Sequence, residues 1–151
     1  MMKKLSFVFA GALFVMAVVG VATAIAADFG TAAQAKAMLE KAVAAVKADK
    51  AKALAMFAKG EGGFKDRDLY PFCGGPDGNF TAHPSLVGKS LKDLKDKAGK
   101  GLGAEMYKVA QAGKISEVGY VWPRPGSTDP VQKVSFVTKV GDQVCAVGYY
   151  K

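Results

Sequence analysis

An aromatic pair followed by a lysine is the part of the sequence best suited to binding chemistry. Tyr120 and Trp122 are two residues apart in a segment with strand-like alternation, so their side chains project from one face. Lys133 follows in the next predicted strand, after a loop rich in proline and glycine. An aromatic wall with one cation suits a short carboxylate, whose oxygens would bind the ammonium and the Tyr120 hydroxyl. The alternatives are that both rings are ordinary core residues and that Lys133 is solvated.

Two further side chains are candidates for the same pocket. His83 is the single histidine, and Pro84 after it ends the predicted strand, so His83 either contacts a ligand or makes hydrogen bonds at the strand end. Arg124 lies in the loop after Trp122 and is either solvated or placed to clamp a carboxylate.

The motifs of the common enzyme classes are missing from the sequence. It contains no G-x-S-x-G elbow, Walker loop or H-E-x-x-H motif, and no G-x-G-x-x-G after a predicted strand. One histidine and two separated cysteines form neither a zinc set nor a haem attachment motif. We therefore predict no catalytic residues, no metal and no cofactor, and expect a binding protein instead of an enzyme.

The first residues have the order of a secretory signal peptide. Two lysines in residues 1–4 precede an apolar run over residues 5–21, and small residues follow up to Ala26. We predict cleavage after Ala26, export to the periplasm, and one domain over residues 27–151. The alternative is an uncleaved membrane anchor, since the apolar run is just long enough to span a bilayer. After cleavage we expect no membrane span.

The charge of the chain argues against nucleic acid as a partner. The formal net charge is +8, but the lysines alternate with acidic residues along helical faces and do not cluster with aromatic residues. A soluble basic surface, with some preference for anionic ligands, is the simpler interpretation.

The two cysteines, Cys73 and Cys145, have two possible states. In an oxidising compartment, two separated cysteines most simply form one disulfide. The alternative is a pair of buried thiols, because free cysteine packs well in a core.

The elements that must position these residues belong to the α+β class. A capping box at Thr31 begins a helical segment over residues 31–58, with a kink at Asp49, and a second helix covers residues 100–112. Strands are predicted at residues 68–73, 79–83, 115–123, 132–140 and 143–149. Five strands with the helices grouped apart indicate α+β instead of a wound α/β sheet.

In the order of its short motifs, the chain resembles the single-Cache domains of the second subtype. The resemblance runs from about residue 31 to the end of the sequence. The motifs are GFKDRDLY at residues 63–70, DG at 77–78, AHP at 82–84, LVGKS at 86–90, DL at 93–94, KAGK at 97–100, GYVWP at 119–123, KVSFV at 133–137 and VGYY at 147–150.

This resemblance implies a PAS-like fold, with a long N-terminal helix packed on a five-stranded antiparallel sheet whose first strand lies beside the last. That neighbourhood would place Cys73 next to Cys145. By the motifs, Tyr120, Trp122 and Lys133 occupy positions that tend to line the ligand pocket, with His83 and Tyr107 as further candidates.

The resemblance also implies a role. Domains of this family form the outer parts of chemoreceptors, histidine kinases and cyclases, and they bind small organic acids such as acetate, propionate, pyruvate and lactate. Because the sequence ends directly after the last predicted strand, we expect a separate partner, such as a membrane receptor or kinase, or a free-standing binding protein. The alternative is a structural or interaction module whose pocket is filled by its own side chains.

Overall fold

A computed structural model describes residues 28–151 of the chain; the predicted signal peptide, residues 1–26, lies outside them. The described part has the predicted α+β architecture, and none of its helices is both long and apolar enough to cross a bilayer. In chain order the elements are α1 (Ala32–Ala48), α2 (Lys50–Lys59), β1 (Pro71–Gly74), β2 (Phe80–Ala82), α3 (Leu102–Val109), β3 (Ser116–Pro123), β4 (Pro130–Val140) and β5 (Gln143–Tyr150).

The predicted long helical segment consists of two helices that meet at Asp49. The Thr31 hydroxyl accepts a hydrogen bond from the Gln34 backbone, and the Gln34 side chain accepts one from the Thr31 backbone, which completes the predicted capping box. Asp49 has an extended backbone that ends α1, and its carboxylate caps α2 by accepting from the Lys52 N–H at 3.0 Å. Gly60, in the left-handed region with φ 70°, ends α2.

The five strands form one antiparallel sheet in the order β2-β1-β5-β4-β3. The first strand therefore lies beside the last, as the family resemblance implies. In this register Cys73 is directly opposite Cys145, and the two form a disulfide. The disulfide prediction is confirmed, and the alternative of two free thiols is wrong.

The sheet has two differently built faces because successive side chains point to opposite sides. The helix face, which packs against α1 and α2, carries the disulfide together with Phe136 and Val147. The opposite face, called the pocket face below, carries an apolar cluster covered by α3; its buried members are Phe72, Phe80, Leu91, Leu102, Met106, Val118, Tyr120, Val137, Val144 and Ala146.

Two predicted element boundaries are wrong. The first strand begins at Pro71 and not at residue 68, because Asp66 and Leu69 exchange two backbone hydrogen bonds in a tight turn around Arg67, whose φ is 55°. Helix α3 is shorter than predicted, since Ala110 already leaves the helical conformation at ψ 118°.

An irregular segment over residues 83–100 is tied to the free edge of β3 by the buried Asp96 carboxylate, together with a backbone hydrogen bond from Lys97 to Val121 and one from the Lys100 ammonium to the Gly119 carbonyl. Asp96 accepts hydrogen bonds from the backbone N–H groups of Ala98, Lys100 and Val121, at 2.9, 2.8 and 3.0 Å. These donors lower the pKa of Asp96, the Val121 N–H contributing most. The tie closes part of the sheet edge and fixes the strand immediately before Trp122.

Candidate functional site

A small cavity lies on the pocket face, beneath the irregular segment. Its volume is about 20 Å³, which is room for about one water molecule. Four of the six predicted binding residues line it. The full lining is Tyr70, Phe72, Phe80, His83, Leu86, Leu94, Leu102, Tyr120, Trp122 and Lys133. This space is called the inner cavity below.

Lys133 is buried, with only 2% of its surface exposed, so the alternative that it is solvated is wrong. It lies on β4, opposite Tyr120 of β3 on one side and Tyr150 of β5 on the other. Its side chain passes over Gly148 of β5, where a Cβ atom would stand only 2.5 Å from the Lys133 Cε. The missing side chain of Gly148 therefore makes the room that Lys133 occupies.

The Lys133 ammonium is surrounded by aromatic rings instead of acceptors. It lies 5.0 Å from the ring centroid of Tyr70 and 4.6 Å from that of Tyr150. Within residues 28–151, no side chain or carbonyl accepts a hydrogen bond from it. Burial lowers the pKa of Lys133 to about 8, an effect that the nearby charge of Asp68 opposes. At neutral pH the group is a mostly charged cation with unused donors.

The predicted aromatic pair forms one wall of the inner cavity. Tyr120 is buried, and its hydroxyl lies 2.8 Å from the Ser135 hydroxyl across the β3–β4 ladder. Burial raises the pKa of Tyr120, so its hydroxyl stays neutral. The ring of Trp122 meets that of Tyr120 edge to face at 6.4 Å. Trp122 is only half-buried, which places it at the boundary between the cavity and the outside.

His83 makes the predicted strand-end hydrogen bond, and its ring also lines the inner cavity. Its ring packs among Tyr70, Phe72 and Phe80, with centroid distances of 5.4, 6.1 and 5.1 Å. Its Nδ1 accepts a hydrogen bond from the Ser85 backbone at 3.0 Å, which leaves Nε2 as the protonated nitrogen of the neutral ring. Burial first, and then the charge of Lys133, lower the pKa of His83 to about 4. At neutral pH the ring is an uncharged hydrogen-bond donor.

A buried carboxylate that sequence reasoning missed partly offsets the effect of burial on Lys133. Asp68 is 5% exposed, and one of its oxygens accepts a hydrogen bond from the Gly30 N–H at 2.7 Å. Its other oxygen is buried without a hydrogen-bond partner among the described residues. Asp68 acts on Lys133 through its charge alone, since the two form no ion pair in this part of the chain.

A larger groove, called the outer groove below, adjoins the inner cavity and has a volume of about 600 Å³. Tyr70, His83, Leu86 and Trp122 line both spaces. The groove is also lined by four cationic side chains, and no Asp or Glu belongs to its lining within residues 28–151; the cations are Lys59, Lys65, Arg67 and Arg124. The groove therefore carries a net positive charge, although Arg67 is paired with Asp66 at 2.8 Å.

Arg124 lies in this groove in a stacked arrangement that neither predicted alternative describes. Its guanidinium carbon is 4.2 Å from the ring centroid of Phe29 and 4.9 Å from that of Tyr150. Its Nε is buried and has no hydrogen-bond partner in the described chain. The Tyr150 ring is held in turn by a hydrogen bond that its hydroxyl donates to the Pro123 carbonyl at 2.7 Å.

Tyr107 lies away from both spaces. Its hydroxyl donates a hydrogen bond to the Gly75 carbonyl at 2.7 Å, at the turn between β1 and β2. It belongs to the lining of neither the inner cavity nor the outer groove, so the structure does not bring it to the site.

Tyr70 and Leu86 are lining residues that the sequence did not single out. Tyr70 lies just before β1 and Phe72 lies within it. Because the two are two residues apart in an extended segment, both rings are on the pocket face. Leu86 lies in the irregular segment, where no periodicity marks which side chains turn inward.

This fold, a helical layer on a five-stranded antiparallel sheet with a small cavity on the other face, is that of a PAS-like domain. A family model described as Cache domain matches residues 19–149. The chain therefore belongs to the Cache domain family.

Relatives of known sequence and structure are parts of chemotaxis proteins. A 56-residue stretch is 34% identical to the methyl-accepting chemotaxis protein McpP of Pseudomonas putida; it covers 37% of this chain and only 10% of that protein. A methyl-accepting chemotaxis protein structure from Vibrio parahaemolyticus is 26% identical, with a TM-score of 0.63 over 78% of this chain and 86% of that one.

Two more solved structures share the fold. A periplasmic sensor domain of a chemotaxis protein is 27% identical, with a TM-score of 0.58 over 76% of this chain and 86% of that one. A Cache chemosensory domain studied for carboxylic acid recognition is 21% identical, with a TM-score of 0.54 over 76% and 84% of the chains, and supports the fold alone. The chain is thus a Cache sensor domain of the kind found in chemotaxis receptors, and its class of function is ligand sensing outside the cytoplasm.

Proposed function

We propose that this chain senses a short-chain organic acid, whose carboxylate binds Lys133 in the inner cavity. The observation that carries the proposal is the Lys133 ammonium, which is buried, charged at neutral pH and without a hydrogen-bond acceptor among the described residues. A buried cation is unfavourable unless it is paired. A ligand carboxylate would supply that pair, and the surrounding rings would hold its short carbon chain.

The other donors around the cavity support an anion. The Tyr120–Ser135 hydroxyl pair lies on the same wall as Lys133, and the neutral His83 ring presents its Nε2 proton. Hydrogen bonds to a charged group each contribute about 1.5–3 kcal/mol. One cation with two neutral donors therefore fits one carboxylate better than it fits a neutral or cationic ligand.

The inner cavity is smaller than even a two-carbon acid, so binding requires side chains to move. Leu86 and Trp122 are half-buried and line both the inner cavity and the outer groove. Leu86 belongs to the irregular segment, and Trp122 to the end of the sheet's edge strand. We propose that these two side chains separate to admit the ligand from the outer groove.

The proposal includes a place and a partner. A signal peptide over residues 1–26 would export a mature domain, residues 27–151, to the periplasm, and the similarity to a periplasmic sensor domain supports this location. There, the domain would report ligand occupancy to a membrane receptor or kinase.

A thermal-shift screen of acids with two to four carbons, followed by calorimetry, tests the carboxylate assignment. A ligand at a hundred times its Kd should stabilise the protein by about 2.7 kcal/mol. Lys133→Met should then weaken binding about ten- to hundredfold, the loss expected for one charged hydrogen bond. Lys139→Met is the matched control, since Lys139 is on the same strand but exposed. Unchanged affinity in a folded Lys133→Met protein would remove Lys133 from the site.

A second candidate function has its own supporting observation. The inner cavity is only about 20 Å³ because its aromatic side chains nearly fill it. This is what a structural or interaction module with a self-filled pocket would show. If no acid in the screen raises the melting temperature of the wild-type protein, this second function is the better one.

A further inference from the structure

The buried amine of Lys133 has the surroundings that make a lysine a nucleophile. It lies between the rings of Tyr70 and Tyr150, and within residues 28–151 it forms no ion pair and donates to no acceptor. Because an ammonium group buried without a partner is unfavourable, this site favours the neutral amine more than water does. Burial accordingly lowers the pKa of Lys133 to about 8. Desolvated lysines of this kind form covalent bonds to carbonyl compounds.

Two hydroxyl groups lie close to the Lys133 side chain. A Cβ atom at Gly148 would stand 2.5 Å from the Lys133 Cε, 2.7 Å from the Ser135 Oγ and 3.3 Å from the Tyr120 Oη. The two oxygens are therefore at most about 5.2 and 5.8 Å from that carbon. They are joined to each other by a hydrogen bond of 2.8 Å. Together they can pass a proton to or from an oxygen atom that is bound beside the amine.

The inner cavity suits a small uncharged carbonyl compound. Its lining is mostly aromatic and aliphatic, and its volume of about 20 Å³ favours the smallest molecules. Aldehydes of two or three carbons are among the smallest carbonyl compounds, and their oxygen leaves as water when a lysine forms an imine. An unprotonated imine carries no charge, so the reaction would replace an unpaired buried cation by an apolar group.

We propose that Lys133 is a covalent binding site for short aldehydes, which it holds as an imine. After the ammonium has released a proton to water, the amine nitrogen bonds to the carbonyl carbon. The carbonyl oxygen takes up a proton that the nitrogen loses. The resulting carbinolamine loses this hydroxyl group together with the remaining N–H proton as water, and the C=N bond forms. The Tyr120–Ser135 hydroxyl pair carries protons between the nitrogen and the oxygen.

This inference goes beyond the proposed function, because it concerns the neutral amine and an uncharged ligand. Reductive trapping at pH 7 tests it, with acetaldehyde as the probe and cyanoborohydride to convert each imine into a stable ethylamine. Peptide mapping by mass spectrometry gives the rate of labelling at each lysine. Lys133 should be labelled at least about tenfold faster than Lys139, since an amine of pKa about 8 is neutral at pH 7 far more often than an ordinary lysine.

Lys139 is the matched reference because it is exposed on the same strand. Lys133→Met should remove the fast phase of labelling from the whole protein, and Lys139→Met should keep it. In concentrated urea the preference for Lys133 should disappear, since both amines are then solvated.

Labelling of Lys133 in the folded protein that is no faster than that of Lys139 would overturn the inference, as would a preference that persists in urea. Saturating propionate separates this inference from the proposed function. Slower labelling of Lys133 alone would support both, because acid and aldehyde would then compete for one amine. Fast labelling of Lys133 that propionate and the other acids of the screen leave unchanged would support the aldehyde site and count against the acid site.

Discussion

The two faces of the sheet are made from the same strands but bury different chemistry. On β5, Cys145 and Val147 point to the helix face, where the disulfide and apolar side chains pack against α1 and α2. Ala146 and Gly148 point to the pocket face, and their small size leaves room there. The pocket face uses this room to bury a cation, two hydroxyl groups and an imidazole. The helix face therefore combines the disulfide with apolar packing, whereas the pocket face combines an apolar cluster with a buried cation and polar groups.

Removing the disulfide is expected to have the largest effect, and only on stability. The double variant Cys73→Ala/Cys145→Ala should lower the free energy of unfolding by about 2–4 kcal/mol, because the bond closes a loop with a sequence separation of 72 residues. Urea denaturation measures this loss, with wild-type protein under reducing conditions as the comparison. The Kd for the best acid should change less than twofold. A tenfold loss of affinity would show that the faces are not independent.

Replacing the buried lysine should have opposite effects on stability and on binding. Lys133→Met should raise the free energy of unfolding at pH 7 by on the order of 2 kcal/mol, since an apolar side chain of similar size avoids burying a charge. The folded-state pKa of Lys133 is about 8, below its ordinary 10.5. Between pH 8 and pH 10.5 the unfolded chain therefore binds more protons than the folded protein does. Wild-type stability should therefore rise from pH 8 to pH 10, and that rise should be smaller in the variant.

Lys139→Met again serves as the control in urea denaturation at each pH. It should keep the wild-type rise, because Lys139 is exposed. A Lys133→Met protein that is less stable than wild type would mean that the lysine contributes to packing on the pocket face instead of weakening it.

The smallest expected effect concerns His83 and acid pH. Its folded-state pKa is about 4 against an ordinary 6.5, so the unfolded chain binds more protons between these values, and wild-type stability falls as the pH drops through this window. His83→Gln should remove about 1 kcal/mol of that fall, a figure reduced for the partial exposure of the ring. Thermal melts of both proteins at pH 6.5 and 4.5 measure the fall in stability of each. Subtracting one fall from the other removes the contribution of the carboxylates, which both proteins share. Identical pH profiles would mean that His83 titrates normally.

Local sequence signals were sufficient for most elements of the fold. Capping at Thr31 and Asp49 and the glycine at position 60 define the two N-terminal helices through neighbouring residues alone. Strand alternation identified all five strands. The pairing of β1 with β5 brings together residues separated by 72 positions, and only the family resemblance indicated it. The turn around Arg67 was not predicted, because its backbone conformation is unusual for a residue with a side chain.

The site was predictable where it depends on one strand or one hairpin. Period two placed Tyr120 and Trp122 together, and the β3–β4 hairpin brought Lys133 beside Tyr120. Asp68 and Tyr150 were missed because their roles arise from distant contacts, with Gly30 in one case and with Lys133 and Arg124 in the other. Tyr107 was a candidate through the family resemblance alone, and no local pattern in the sequence marks its hydrogen bond to the Gly75 carbonyl.

The absence of a side chain at Gly148 affects which kinds of ligand such a domain could evolve to bind. A Cβ atom there would stand 2.5 Å from the Lys133 Cε and 2.7 Å from the Ser135 hydroxyl oxygen. The nearest of these atoms is near the end of a flexible chain, which can turn away without disturbing the strands. The place of the Lys133 ammonium in the cavity thus depends on a residue of β5 that has no side chain. Under the proposed function, a single nucleotide change at this codon would give a lineage a short route from binding acids to binding uncharged molecules.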